Sequence, residues 1–168
     1  CLAEGRSLAT LDLDNIPAGQ TEEILKRVGG LGCAAAAYST RKHAGHAPRL
    51  RIVVPFDRVA LPDEYEPAAR KLAELLGMEF CDPTTFDISR LMYWPSRSAD
   101  APYVFEACDN PFCSVDGLLA MYGDWRDATQ WPQVPGEEAR EKRRLAKQED
   151  PTAKKNVIGA FCRTYTVT

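Results

Sequence analysis

Between Leu8 and Pro95 the sequence switches repeatedly between two periodicities, and the order of those switches limits the fold more than any other feature. Within "LATLDLD" the core "TLDLD" alternates apolar and polar residues at period two, the spacing of a half-buried strand over about 8–14. "TEEILKRV" follows with helical spacing, with Thr21 as the expected N-cap and Gly29-Gly30 as the stop. "CAAAAYS" (33–39) reads as a strand of small residues, although its alanines alone would favour helix. "RLRIVVPF" (49–56) is a β-branched strand, and "PDEYEPAARKLAELLG" (62–77) an amphipathic helix with Pro67 as its one awkward residue. "RLMYWP" (90–95) predicts a short strand, and "YVFEA" (103–107) a further one.

The first six elements run β-α-β-β-α-β, the ferredoxin-like or RRM-like order of an α+β fold. In that fold two helices cover one face of a sheet whose spatial order is 4-1-3-2. The end of strand one then lies beside the starts of strands three and four and near the end of strand two. Asp12 and Asp14, two apart on strand one, point the same way at that end. Ser39 closes strand two and His43 follows it; Arg49 and Arg51 open strand three; Asp82, Asp87 and Arg90 precede or begin strand four.

Adjacent carboxylates repel, and aspartate is a poor strand former, so a cation is the sharper explanation of the Asp12–Asp14 pair. Carboxylates from two strands suit magnesium or manganese, with Asp12, Asp14 and Asp82 as ligands and catalytic acids. Two such ions, about 3.5–4 Å apart, clamp the attacking and leaving oxygens of phosphoryl transfer. The arginines and His43 would meet phosphate oxygens, which implies a nucleoside triphosphate or a nucleic-acid backbone as substrate. Plainer readings stand beside these. Arg51 could form an internal salt bridge with a strand-one aspartate, Asp87 could be a turn residue in "PTTFDIS", and His46 in "HAGHAP" a solvated loop histidine.

With 168 residues and a formal net charge of −3, the chain has no global basic signature, so any nucleic-acid contact must rest on a local patch. No apolar run is long enough to span a membrane and no signal peptide is visible, so a cytoplasmic protein without membrane partners is expected. The six cysteines fit that expectation as reduced thiols. Cys108 and Cys113 form one C-x4-C pair, a weak zinc signal without a second pair. The opening at Cys1 and the close in "FCRTYTVT" read as a piece of a longer protein.

These motifs resemble the archaeo-eukaryotic primase superfamily, the primase-polymerases of phages and mobile elements. Its signatures are similar to "LDLD" with Asp12 and Asp14, "STRKH" with His43, and "FCD" with Asp82. The strings "YSTRKHAGHAPRLRIVVPFDR", "DPTTFDISRLMYWPS" and "DPTAKKNVIGAFCRTY" resemble primases fused to helicases, as in virulence-associated E-like proteins. Ser39 and His43 are four apart where the superfamily has Ser-x-His, so it is His43 that carries over. The resemblance implies a DNA primase or polymerase that binds Mg2+ or Mn2+ through Asp12, Asp14 and Asp82. It implies triphosphate contacts from His43 and Arg90, with Arg49, Arg51 and Ser39 as further candidates. The implied partners are nucleoside triphosphates, a single-stranded DNA template, and a helicase domain elsewhere in the full-length protein.

Residues 1–107 are accordingly expected to form the catalytic core, and 108–168 an irregular or helical appendage leading toward the helicase. "EEAREKRRLAKQ" in that appendage reads as a solvated helix. Two rivals use the same features. A metal-dependent nuclease or phosphodiesterase would need the acids but no triphosphate. A non-catalytic RRM-like module would need stacking aromatics on its central strands, which "RLRIVVPF" lacks.

Overall fold

A computed structural model describes residues 4–97 and 99–139. Its elements run β1 (Arg6–Leu13), α1 (Thr21–Gly29), β2 (Ala35–Ser39), β3 (Leu50–Ala60), α2 (Pro62–Leu76), two 3-10 turns (Met78–Phe80 and Pro83–Phe86), β4 (Phe105–Cys108), α3 (Val115–Leu119) and a last 3-10 turn (Ala128–Gln130). This is the expected α+β class. Alternation sorts the strands into two faces. Leu11 and Leu13 of β1 and Leu50, Ile52 and Val54 of β3 are fully buried. They share one core with Ile24 and Val28 of α1 and with Tyr65, Ala69, Leu72 and Leu76 of α2. The opposite face carries Thr10, Asp12, Arg51 and Tyr38. Thr21 is the first residue of α1 rather than its cap; Gln20 holds the cap position without a side-chain bond. Helix α2 runs through Pro67 unbroken.

All strand pairs are antiparallel, in the order β1-β3-β2-β4. The 4-1-3-2 order is therefore present only in part. Where a fourth strand should flank β1, the chain makes a single bridge, Leu13 to Cys81. The Asp82 N–H donates to the Asp12 carbonyl at 2.8 Å, and the Asp14 N–H to the Phe80 carbonyl at 3.0 Å. One turn further along, the Thr85 hydroxyl donates to the Thr10 carbonyl at 2.6 Å and accepts the Asp12 N–H at 3.2 Å. A threonine side chain thus satisfies the edge groups that a strand would have paired.

The expected strand at 90–95 is absent: residues 80–85 already hold the edge of β1 from Thr10 to Asp14, and Leu91, Tyr93 and Trp94 stand exposed in irregular chain. The strand at the far edge is the one expected at 103–107, found as β4 beside β2.

Packing does not change after Ala107. Cys113 bridges Phe56, and Val115, Leu118, Leu119 and Val134 are buried in the same core. Residues 1–135 form one compact unit, and a second begins at Gly136. Beyond Ala139 the charge run and "DPTAKKNVIGAFCRTY" lie outside the described residues. Among the described residues no helix is long and apolar enough to cross a membrane.

Candidate active site

The end of β1, the start of β3, the loop after β2 and the chain after α2 meet around one cleft of about 600 Å³. Three carboxylates line it: Asp12, Asp14 and Asp82. Five cations face them, Arg41, Lys42, Arg49, Arg51 and Arg90, together with the aromatic rings of Tyr38, Tyr93 and Trp94. Six residues singled out from the sequence, Asp12, Asp14, Asp82, Arg49, Arg51 and Arg90, are thereby brought together.

Strand register explains the innermost contact. Asp12 sits directly opposite Arg51, and Arg51 opposite Tyr38 on the next strand. Both backbone groups of Asp12 turn outward, to Thr85 and Asp82. Asp12 and Arg51 are therefore a non-hydrogen-bonded pair, the register in which facing side chains come closest. Arg51 holds the carboxylate with both arms, Nε to Oδ1 at 2.5 Å and Nη2 to Oδ2 at 3.2 Å. Its Nη1 donates to the Tyr93 carbonyl at 2.7 Å, and its guanidinium carbon lies 5.9 Å from the Tyr38 ring centre. Asp12 and Arg51 are both buried.

The second pair is more open. Arg49 Nη1 donates to Asp14 Oδ2 at 2.8 Å, with each side chain about one-third exposed. Burial pushes the Asp14 carboxyl above the usual carboxylate range. Arg49 opposes that shift, and the charges of Asp12 and Asp82 add to it. Asp82 caps the second 3-10 turn, its Oδ1 accepting the Thr84 N–H at 3.1 Å.

The remaining candidates make hydrogen bonds within the scaffold. His43 is buried, and its Nδ1 accepts the Arg49 N–H at 3.1 Å. The same Nδ1 lies 3.2 Å from the Arg49 carbonyl oxygen, and the two contacts pin the 40–49 loop that delivers Arg49. The Ser39 hydroxyl accepts the Val104 N–H at 3.0 Å and is almost fully buried. Asp87 is a turn residue, its Oδ1 accepting both the Ser89 N–H and hydroxyl at 2.8 and 2.7 Å.

Sequence reasoning missed Arg41, Lys42, Tyr38, Tyr93 and Trp94. A signal existed for the first two, a basic pair directly after strand two. The last two were hidden by reading 90–95 as a strand.

The acids fit a hard cation in kind, being three carboxylates on one cleft with no thiol among them. Each Asp12 oxygen keeps a lone-pair direction beyond Arg51. Among the described residues, however, no three acids, histidines or cysteines converge closely enough to hold an ion as they stand. Asp12 and Asp14 are held by arginines instead.

No curated protein and no solved structure matches the chain. One family model does, described as the VapE N-terminal domain, over residues 2–134.

Proposed function

Because the chain belongs to the VapE N-terminal domain family, we propose that the cleft binds a nucleoside triphosphate for nucleotidyl transfer on a DNA strand. The domain would then be the priming part of a phage or mobile-element replication protein whose helicase lies elsewhere. The observation that carries this reading is the composition of one cleft: three carboxylates, five cations and three aromatic rings delivered by four separate stretches of chain.

Each group has a role that its chemistry suits. Arg49, Arg90 and the Arg41–Lys42 pair hold phosphate oxygens, since cations outnumber acids on the cleft wall. Tyr93 and Trp94, open to solvent, offer faces for the base. Arg51, buried against Asp12 and Tyr93, sets the position of Asp12. Asp14 and Asp82, with the spare lone pairs of Asp12, would hold magnesium or manganese. Bound there, the ion would supply the positive charge that phosphoryl transfer needs on its attacking and leaving oxygens. No side chain is needed as a nucleophile, because a 3′-hydroxyl attacks.

Calorimetric titration of the full chain with ATP and Mn2+ tests the reading. Binding that needs the cation and weakens in Arg49→Ala supports it; no binding at any manganese concentration removes it.

One observation favours a second reading. Asp12 is paired through both oxygens with Arg51, as in a non-catalytic nucleic-acid-binding module whose acids are structural. Such a module would bind a strand but incorporate nothing.

A further inference from the structure

The open face of the sheet continues past the cleft toward its far edge. Tyr38, which lines the cleft, sits directly opposite Phe105 on β4. Asp12, Arg51, Tyr38 and Phe105 therefore form one row across all four strands. The Ser39–Val104 bonds, N–H to carbonyl at 2.9 Å and N–H to Oγ at 3.0 Å, carry the β2–β4 alignment one residue beyond β4. Tyr103, two residues before Phe105, thus lies on the same face beside cleft-lining Thr40, while Glu106 turns to the other face.

These rings are not core residues. Phe105 is 60% exposed and Tyr103 45%. Singly exposed apolar residues are ordinary, but a run of aromatics on one face marks an interaction site. Cations flank them: the Arg97 guanidinium carbon lies 5.4 Å from the Tyr103 ring centre, and Arg41 and Lys42 line the neighbouring cleft with Thr40.

We propose that Tyr103 and Phe105, on the sheet face that meets the cleft at Tyr38 and Thr40, form a base-stacking track for a single-stranded nucleic acid. Aromatic faces take successive bases whatever their identity, and the cations beside them take the phosphates. A duplex, with its bases already stacked, offers this surface phosphates but no free base faces. The track deepens the reading above, on which it rests for the strand's role as template, by giving that strand a path out of the cleft.

The test is fluorescence anisotropy of the full chain with a labelled oligothymidylate of about twelve nucleotides, within the range of single-strand site sizes. Tyr103→Ala and Phe105→Ala should each weaken binding roughly five- to hundredfold, the loss of one stacked base. Phe105→Trp should restore it. Phe105→Leu, which keeps apolar area but no ring face, should behave like the alanine variant, and unlabelled duplex should compete poorly. ATP binding in the same variants should stay unchanged, because neither residue lines the cleft. Oligonucleotide affinity that is unaltered in the Tyr103→Ala/Phe105→Ala double variant, or retained in Phe105→Leu, overturns the track. A wild-type chain that binds the oligonucleotide through these rings but never binds ATP would remove the nucleotidyl-transfer reading and leave the track standing. ATP binding beside an oligonucleotide affinity that ignores these two rings does the reverse.

Discussion

Arg51 grips both oxygens of the Asp12 carboxylate from the strand directly opposite, in a pair buried between the sheet and the Tyr93 backbone. The contact changes what the Asp-x-Asp motif means for stability. From the sequence alone, Asp12→Asn relieves repulsion with Asp14 and leaves the fold intact. With Arg51 in place it removes the counter-charge of a buried guanidinium. Asp12→Ala or Arg51→Ala should each cost about 3–5 kcal/mol, as breaking a buried pair does. The double change Asp12→Leu/Arg51→Met should recover most of that loss, because neither charge is then left alone. Urea denaturation of the three variants checks it; additive losses in the double variant would show that the pair is not coupled.

Arg90 and His43 should separate cleanly. Arg90→Ala should weaken ATP binding by about 1.5–3 kcal/mol, a ten- to hundredfold effect, with little change in melting temperature. His43→Ala should lower both, because the ring holds the Arg49 N–H and thereby the loop that presents Arg49. A His43→Ala variant that melts like wild type while losing ATP would place the imidazole on the phosphates directly.

Two carboxylates should respond to pH with opposite sign. The bidentate Arg58 hydrogen bonds, helped by the Leu61 N–H, hold the Glu64 carboxyl below its usual range. A depressed pKa contributes stability that is present above the unfolded value, about 4.3, and is lost as pH falls through the folded value. Glu64→Gln should therefore destabilise at pH 7, and its deficit should shrink as pH drops below about 4. Asp14 is raised, mainly by burial, so its ionisation costs stability as pH climbs through the folded value. In metal-free buffer Asp14→Asn should gain on wild type between pH 4 and pH 7. Melting curves from well below pH 4 up to pH 7 decide both.

Much of this was legible in the sequence, because periodicity reports which face of an element is buried. The alternation in "TLDLD" correctly put Asp12 and Asp14 on one face, and the β-branched run in "RLRIVVPF" correctly put Arg49 and Arg51 beside them. What periodicity does not carry is the partner. "RLMYWP" has a strand's composition, but Thr85 and Cys81 already occupy the edge it would have joined. Trp94 and Tyr93 therefore line a cleft instead of pairing in a ladder. His43 shows the same limit from the other side: a motif histidine was visible, but whether its ring faces a ligand or its own loop depends on the turn geometry of residues 40–49.

The boundary of the folding unit gives a further test. Val115, Leu118, Leu119 and Val134 pack into the sheet's core, and the compact unit ends at Pro135. A chain cut after Pro135 should melt within a few degrees of the full chain and keep its ATP affinity. A cut after Ala107 should not fold, since it strips those four apolar side chains from the core at about 1.5–3 kcal/mol each. A folded 1–107 fragment would support the shorter core expected from the motifs.

The most direct measurement of the central claim is incorporation of labelled nucleotide on a single-stranded DNA template, with Mn2+ and the four nucleoside triphosphates. Wild type and the Asp14→Asn/Asp82→Asn double variant should be compared, since both leave the Asp12–Arg51 pair untouched. Nucleotidyl transfer in this cleft predicts template-dependent products from wild type and none from the variant, although the variant still folds and binds the oligonucleotide. Products of equal yield from both proteins, or none from a wild type that binds the strand, would contradict it.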